Sequence, residues 1–88
     1  MRLLLLNANT TAAMTARMVE AASRRAGPGI AIDGATGRFG ATYISTRAAS
    51  AIAGHAALDL LANEVGTANP KGYDAVALAC FGDPGLLA

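Results

Sequence analysis

Apolar residues in this chain alternate between short unbroken runs and longer stretches with helical spacing. The short runs, at 2–6, 30–33 and from 73 or 74 to 79, predict strands that are buried on both faces. The stretch between the first two runs predicts a helix ending near Arg25, and the stretch before the third predicts a longer helix ending near Gly66. The apolar sides of these helices are predicted at positions 14, 18, 21 and 22, and at 49, 52, 53, 56, 57, 60 and 61.

Polar residues and glycines mark where these helices begin and end. Asn9 or Thr10 can cap the first helix, and Ser45 or Thr46 can cap the second. Gly27, followed by a proline, is typical of a helix end. The order strand, helix, strand, helix, strand therefore predicts a single α/β domain.

Such a βαβαβ unit predicts three parallel strands joined by right-handed crossovers, a Rossmann or flavodoxin-like arrangement in the order 2-1-3. The two helices then lie on opposite faces of the sheet. The loops after the first and third strands flank one crevice, where Asn9 and Thr10 face Cys80, Phe81 and Gly82. Strand three is left as an edge that a further strand or a partner chain should cover.

The third apolar run leads directly to Cys80, which is the one cysteine of the chain. Gly82 allows a ligand to approach the backbone, and Asp83 followed by Pro84 is a favourable helix start. A helix amino end lowers the pKa of a nearby thiol, so this context favours a reactive thiol. The alternative is that Cys80 is only a small buried apolar residue.

Three segments make the chain similar to the Asp/Glu/hydantoin racemase family. Leu78-Ala79-Cys80-Phe81-Gly82-Asp83-Pro84-Gly85-Leu86 resembles the first catalytic-cysteine motif of the family. Leu6-Asn7-Ala8-Asn9-Thr10-Thr11, with Met14-Thr15, resembles its amino-terminal motif, although Ala8 stands where a proline is usual. Tyr43-Ile44, just before the second helix, is a weaker match.

The resemblance implies a cofactor-independent racemase of amino acids, hydantoins or related cyclic ureides. In this family, two thiols from two similar domains remove and return a proton on opposite faces of a carbon stereocentre. By resemblance, Cys80 is one catalytic thiol, and Asn9, Thr10, Tyr43, Phe81 and Gly82 hold the substrate. The 88 residues then correspond to the amino-terminal half, and a second domain or a homo-oligomer partner is expected to complete the site.

Composition and charge exclude several classes of function and of binding site. The net charge of +1 provides no basic field for nucleic acid, and the single cysteine excludes an intramolecular disulfide and a cysteine-cluster metal site. We expect no metal and no cofactor. No apolar run approaches the roughly 18 residues of a membrane span, so we expect a cytoplasmic protein.

Two other functional classes remain open at the level of sequence. The glycine-rich segment 34–40 resembles a dinucleotide-binding fingerprint, which would indicate an oxidoreductase fragment. However, it follows the second strand, whereas that fingerprint normally follows the first. The other class is a non-enzymatic small-molecule-binding module, in which Cys80 would titrate as an ordinary thiol.

Three further side chains can have roles that do not involve a ligand. Phe39 and Tyr43 fall near the mouth of the crevice but could equally pack beneath a loop. His55 is expected to pair with Asp59, four residues later on the same helix, and has no predicted catalytic role.

Overall fold

The computed structural model describes residues 1–79. Three parallel strands form one sheet: β1 (Arg2–Asn7), β2 (Ala31–Thr36) and β3 (Ala75–Leu78). Their spatial order is β2-β1-β3, which confirms the predicted Rossmann-like topology. The segments Cys80 to Gly82 and the predicted helix start at Asp83 lie outside the described residues.

Two helices connect the strands. Helix α1 (Ala12–Ala26) joins β1 to β2, and helix α2 (Arg47–Leu60) lies between β2 and β3. A π-helical turn, Leu61–Val65, extends α2 to Gly66, where the sequence predicted the helix to end. No helix among residues 1–79 is long and apolar enough to cross a membrane.

The two helices lie on opposite faces of the sheet, as predicted. Leu4 and Leu6 are buried on one face of β1 in a cluster with Leu60 of α2. Asn7 belongs to the other face, because side chains alternate along a strand, and it hydrogen-bonds to Thr15 of α1. A second small cluster packs the middle of α2 against the carboxyl end of the sheet; its members are Ala8, Ala53 and Ala57, with Ile44 and Leu78 beside them.

Several predicted boundaries were wrong. Strand β2 begins one residue later than predicted and continues to Thr36, so Gly34 belongs to the strand rather than to the following loop. The strand continues because its full length pairs with β1, from Arg2↔Ala31 to Asn7↔Thr36. Strand β3 is shorter than predicted, because its pairing with β1 begins at Ala75 and ends at Leu78.

The residue predicted to cap α1 was wrong, whereas one of the two predicted to cap α2 is confirmed. The residue that caps α1 is Thr11, not Asn9 or Thr10, and its side chain makes no capping bond because its hydroxyl donates to the carbonyl oxygen of Thr42. The Thr46 cap of α2 is confirmed, since its hydroxyl oxygen accepts a 3.0 Å hydrogen bond from the amide of Ala49.

Of two side-chain pairs predicted on the helix surfaces, one is confirmed and one is wrong. Glu20 and Arg24 form the expected pair across one turn of α1, at 3.2 Å. His55 does not pair with Asp59. Its ring packs edge-on against the ring of Phe39 instead, with centroids 5.3 Å apart, and Asp59 binds Arg38.

Within residues 1–79, β3 is an edge strand with β1 as its one neighbour. Val76 on this strand is 40% exposed. That a further strand or a partner chain covers this edge stays a prediction.

Candidate functional site

A cleft of about 520 Å³ opens at the carboxyl edge of the sheet, where β1 and β3 end. Asn7 and Asn9 come from the end of β1 and the loop after it, and Ala79 follows β3. Met14 and Met18 of α1 contribute apolar surface. The remaining lining residues belong to the start of α2 and the segment before it: Tyr43, Ile44, Ser45, Thr46, Arg47 and Ser50.

The side chain of Asn9 is the best-defined polar group of this cleft. It is only 6% exposed, and its Oδ1 accepts a 2.9 Å hydrogen bond from the backbone amide of Thr11. Because a backbone amide can only donate, this bond fixes which end of the Asn9 amide is oxygen. The Nδ2 group therefore lies at the other end, 3.5 Å from the sulfur of Met14.

A thioether is a weak acceptor, so the Asn9 amide keeps donor capacity beside the cleft. A ligand oxygen is the group that would match it. Asn9 thus lies at the cleft and offers it a hydrogen-bond donor, and its role in binding stays a prediction.

Asn7 lies beneath Asn9 and is 1% exposed. Its Nδ2 donates at 2.9 Å to Asn9 Oδ1 and at 2.9 Å to the hydroxyl of Thr15. Its Oδ1 accepts from the Asn9 backbone amide at 3.3 Å. The Thr15 hydroxyl is in turn 2.8 Å from that of Thr36 on β2. We call this set, Asn7, Asn9, Thr15 and Thr36, the buried polar network.

The loop 37–46 closes over the turn after β1. Thr10 donates its amide to the carbonyl oxygen of Ala41 at 3.1 Å, and the Thr11 hydroxyl donates to Thr42 at 2.7 Å. Thr10 does not line the cleft, so its predicted binding role has no supporting contact among the described residues. Tyr43 does line the cleft and is 68% exposed, whereas Phe39 packs on His55.

The glycines of the segment 34–40 have structural roles. A Cβ on Gly34 would lie 2.6 Å from Val19 and 2.7 Å from Thr15, so its absence lets α1 pack closely on β2. The amide of Gly37 donates to the carbonyl oxygens of Asn7 at 2.7 Å and Asn9 at 2.9 Å. An amide used in this way is not available to a phosphate, so Gly37 does not act as a phosphate-binding glycine.

Most residues that line the cleft were absent from the predicted site, and so was Thr15 beneath it. Asn7 and Thr15 are polar positions on otherwise apolar elements, which was the available signal: Asn7 ends an apolar strand, and Thr15 lies on the helix face shared by Met18 and Val19. Arg47 is the one charged residue that lines the cleft within residues 1–79. No sequence pattern distinguished it from other arginines.

Ionisable clusters in the described residues lie away from the cleft. At the amino edge of the sheet, Asp33 accepts hydrogen bonds from Tyr73 at 2.9 Å and Arg2 at 3.0 Å. These two bonds, with Tyr73 the larger influence, lower the pKa of Asp33. Burial and the bond to Asp33 raise the pKa of Tyr73. Among residues 1–79, no group of three or more metal-ligating His, Asp or Glu side chains is present.

Comparison with known proteins agrees with this architecture. The crystal structure of allantoin racemase from Pseudomonas fluorescens matches with a TM-score of 0.74 and 37% sequence identity. The match covers 90% of this chain and 32% of that chain, so the present sequence spans about a third of the length of its structural relative. No curated protein sequence matches significantly. The family model for Asp/Glu/hydantoin racemase matches residues 3–88, and the chain therefore belongs to the Asp/Glu/hydantoin racemase family.

Proposed function

We propose that this chain supplies one wall of the active site of a cofactor-independent racemase that acts on hydantoin-type or allantoin-like cyclic ureides. The observation that carries the proposal is the meeting of Asn9 and Ala79 in one cleft at the carboxyl edge of the sheet. Ala79 is followed in the chain by Cys80, the one cysteine. A donor for a carbonyl oxygen and the segment leading to a thiol thus belong to the same cleft.

The chemistry requires a base close to the stereocentre and a stabilised intermediate. In the proposed reaction, the Cys80 thiolate removes the proton from the carbon next to a carbonyl group and becomes a thiol. The electron pair of the broken C–H bond moves towards that carbonyl oxygen, which gives an enolate. A second thiol on the opposite face then donates a proton to the carbon and becomes a thiolate.

Asn9 supports the intermediate in this proposal. As negative charge develops on the carbonyl oxygen, a fixed N–H donor stabilises it more than it stabilises the neutral substrate. The backbone around Phe81 and Gly82 is proposed to contribute further donors, and Tyr43 is proposed to cover the ring of the substrate. Before it takes up the proton, the Cys80 side chain is proposed to be a thiolate, because the sequence predicts a helix amino end at Asp83.

The second thiol is proposed to come from a further domain or from a partner chain. Two supports are available: the chain corresponds to 32% of the length of the allantoin racemase chain, and β3 has a free edge within residues 1–79. The preference for cyclic ureides over free acidic amino acids rests on the likeness to that enzyme and on the Asn7-Ala8-Asn9-Thr10 turn.

The decisive experiment measures hydrogen exchange at the stereocentre of a 5-substituted hydantoin and of allantoin in D2O. The native gene product should catalyse deuterium incorporation together with inversion, above the rate of a protein-free blank. Cys80→Ser and Cys80→Ala should lose both activities by several orders of magnitude. Full turnover by Cys80→Ala would contradict the thiol assignment, and the absence of exchange in the unmutated protein would contradict the racemase proposal.

A further inference from the structure

The buried polar network contains one residue of α1, Thr15, that does not line the cleft. Thr15 lies on the inner face of α1 and is 6% exposed. Its hydroxyl is 2.9 Å from Nδ2 of Asn7 and 2.8 Å from the hydroxyl of Thr36. Thr15 is therefore the group that joins α1 to both β1 and β2 through polar contacts.

The hydrogen-bond directions in this network follow from backbone groups. The amide of Thr11 fixes Oδ1 of Asn9, as described above, so the Asn7 atom that faces this oxygen must be a donor. The backbone amide of Asn9 independently identifies the other end of the Asn7 side chain as oxygen. Both assignments agree that Nδ2 of Asn7 faces Asn9 and Thr15.

The two N–H bonds of Asn7 Nδ2 thus have two close acceptors, Oδ1 of Asn9 and the hydroxyl of Thr15. One longer contact, 3.4 Å to the carbonyl oxygen of Thr11, is also present. Water cannot replace a lost acceptor readily, because Asn7 is 1% exposed. Without the Thr15 hydroxyl, Asn7 is left with an unsatisfied donor, and rotation towards Thr11 would weaken its bond to Asn9.

We propose that Thr15 is a positioning residue, which acts through Asn7 to hold Asn9 with its NH2 group towards the cleft. The cleft thereby selects ligands that present an oxygen acceptor at this point. This inference rests on the proposed function, because it gives the carbonyl oxygen of the substrate a defined partner. It adds a residue of α1 to the determinants of specificity.

Two variants separate the hydroxyl group of Thr15 from its packing. Thr15→Val keeps the shape, including the methyl group that lies against Gly34, but removes the hydroxyl. Thr15→Ser keeps the hydroxyl but removes that methyl group. Thr67→Val makes the same chemical change at an exposed position outside the network and serves as the matched control.

The kinetic test uses racemisation of allantoin by the native gene product. Thr15→Val should lower kcat/KM about tenfold. KM should rise because the donor is misaligned for the neutral substrate, and kcat should fall because it is misaligned for the developing charge. Thr15→Ser should recover most of this loss, and Thr67→Val should show none. A merely less stable protein loses active molecules, so its apparent kcat would fall at an unchanged KM.

The proposal is overturned if Thr15→Val retains the KM of the unmutated protein, or if the valine and serine variants lose affinity equally. If the unmutated protein turns over neither allantoin nor a hydantoin, the proposed function fails. The positioning role is then decided by NMR of the side-chain NH2 groups. Thr15→Val should shift the Asn9 NH2 signals and speed hydrogen exchange at Asn7, whereas unchanged signals would refute the role.

Discussion

The amide of Gly37 donates a 2.7 Å hydrogen bond to the carbonyl oxygen of Asn7, which joins the residue after β2 to the last residue of β1. Gly37 is buried in this position. The contact holds the turn that carries Asn9 against the start of the loop 37–46. The geometry of the donor in the cleft therefore depends on a glycine that no ligand is expected to touch.

Gly37→Ala should destabilise the fold by about 2–3 kcal/mol, because a new side chain here overpacks the backbone. Its Cβ would lie 2.7 Å from the carbonyl oxygens of both Ala8 and Asn9. Urea unfolding measures the loss. Gly72→Ala is the control: its Cβ meets nothing within 4 Å, and only its φ of 68° opposes a side chain. That variant should cost about 1 kcal/mol, and equal losses for the two variants would contradict the overpacking argument.

Asn9→Asp should weaken the binding of allantoin by at least tenfold, since it exchanges the donor that faces the cleft for an acceptor. The substitution keeps an oxygen for the bonds from Thr11 and Asn7, so the turn is expected to persist. Isothermal calorimetry or an NMR titration gives the Kd. Asn63→Ala, which removes an exposed amide at the end of α2, should bind as the unmutated protein does. Undiminished binding by Asn9→Asp would remove Asn9 from the site.

Arg47→Met should lower the affinity for oxygen-rich ligands about fivefold, because an exposed charged donor contributes at most about 1 kcal/mol. Arg47 makes no ion pair with a carboxylate among residues 1–79, so its removal leaves no described carboxylate without a partner. Arg25→Met, on the exposed end of α1, is the matched control. If both variants bind equally well, Arg47 has no role in recognition.

The Asp33 cluster predicts a specific acid sensitivity. Tyr73 and Arg2 lower the pKa of Asp33, so this carboxylate stabilises the fold fully above its unfolded pKa of about 3.9. The contribution is lost as the pH falls through the lower pKa of the folded state. Because the Asp33 side chain is 40% exposed, we expect this contribution to the free energy of unfolding to be below about 1 kcal/mol.

Urea unfolding between pH 2 and pH 7 tests this expectation. Tyr73→Phe removes the larger cause of the shift, and it should therefore reduce the loss of stability below pH 4. Asp33→Asn should reduce it further and lower the stability at neutral pH. An unchanged pH profile in both variants would show that the cluster does not stabilise the folded protein.

The fold was predictable because apolar periodicity carries most of the information about a parallel α/β unit. Leu4 and Leu6 lie in an unbroken apolar run, and such a run predicts a central strand whatever its neighbours are. The end of β2 was missed because Gly34 suggests a loop locally, whereas pairing with Leu5 keeps it in the strand. Local preference was overridden by a contact between residues far apart in sequence.

The lining of the cleft was predictable only in part, for a related reason. Asn9 was expected because it follows a strand end. The donor orientation of Asn9 depends on Asn7 and Thr15, and the chain brings these together only when α1 packs on the sheet. His55 is a similar case. Its spacing predicted a pair with Asp59, but Asp59 forms its ion pair with Arg38, which is distant in sequence.

The loop 37–46 is held on two sides. Bonds from Thr10 and Thr11 tie it to the turn after β1, while Arg38 and Phe39 tie it to the outer surface of α2. A segment already restrained in this way has little conformational entropy left to lose when a ligand arrives. The free energy of ligand contacts can then appear as affinity, and the exposed side chain of Tyr43 remains free to adapt to the ligand.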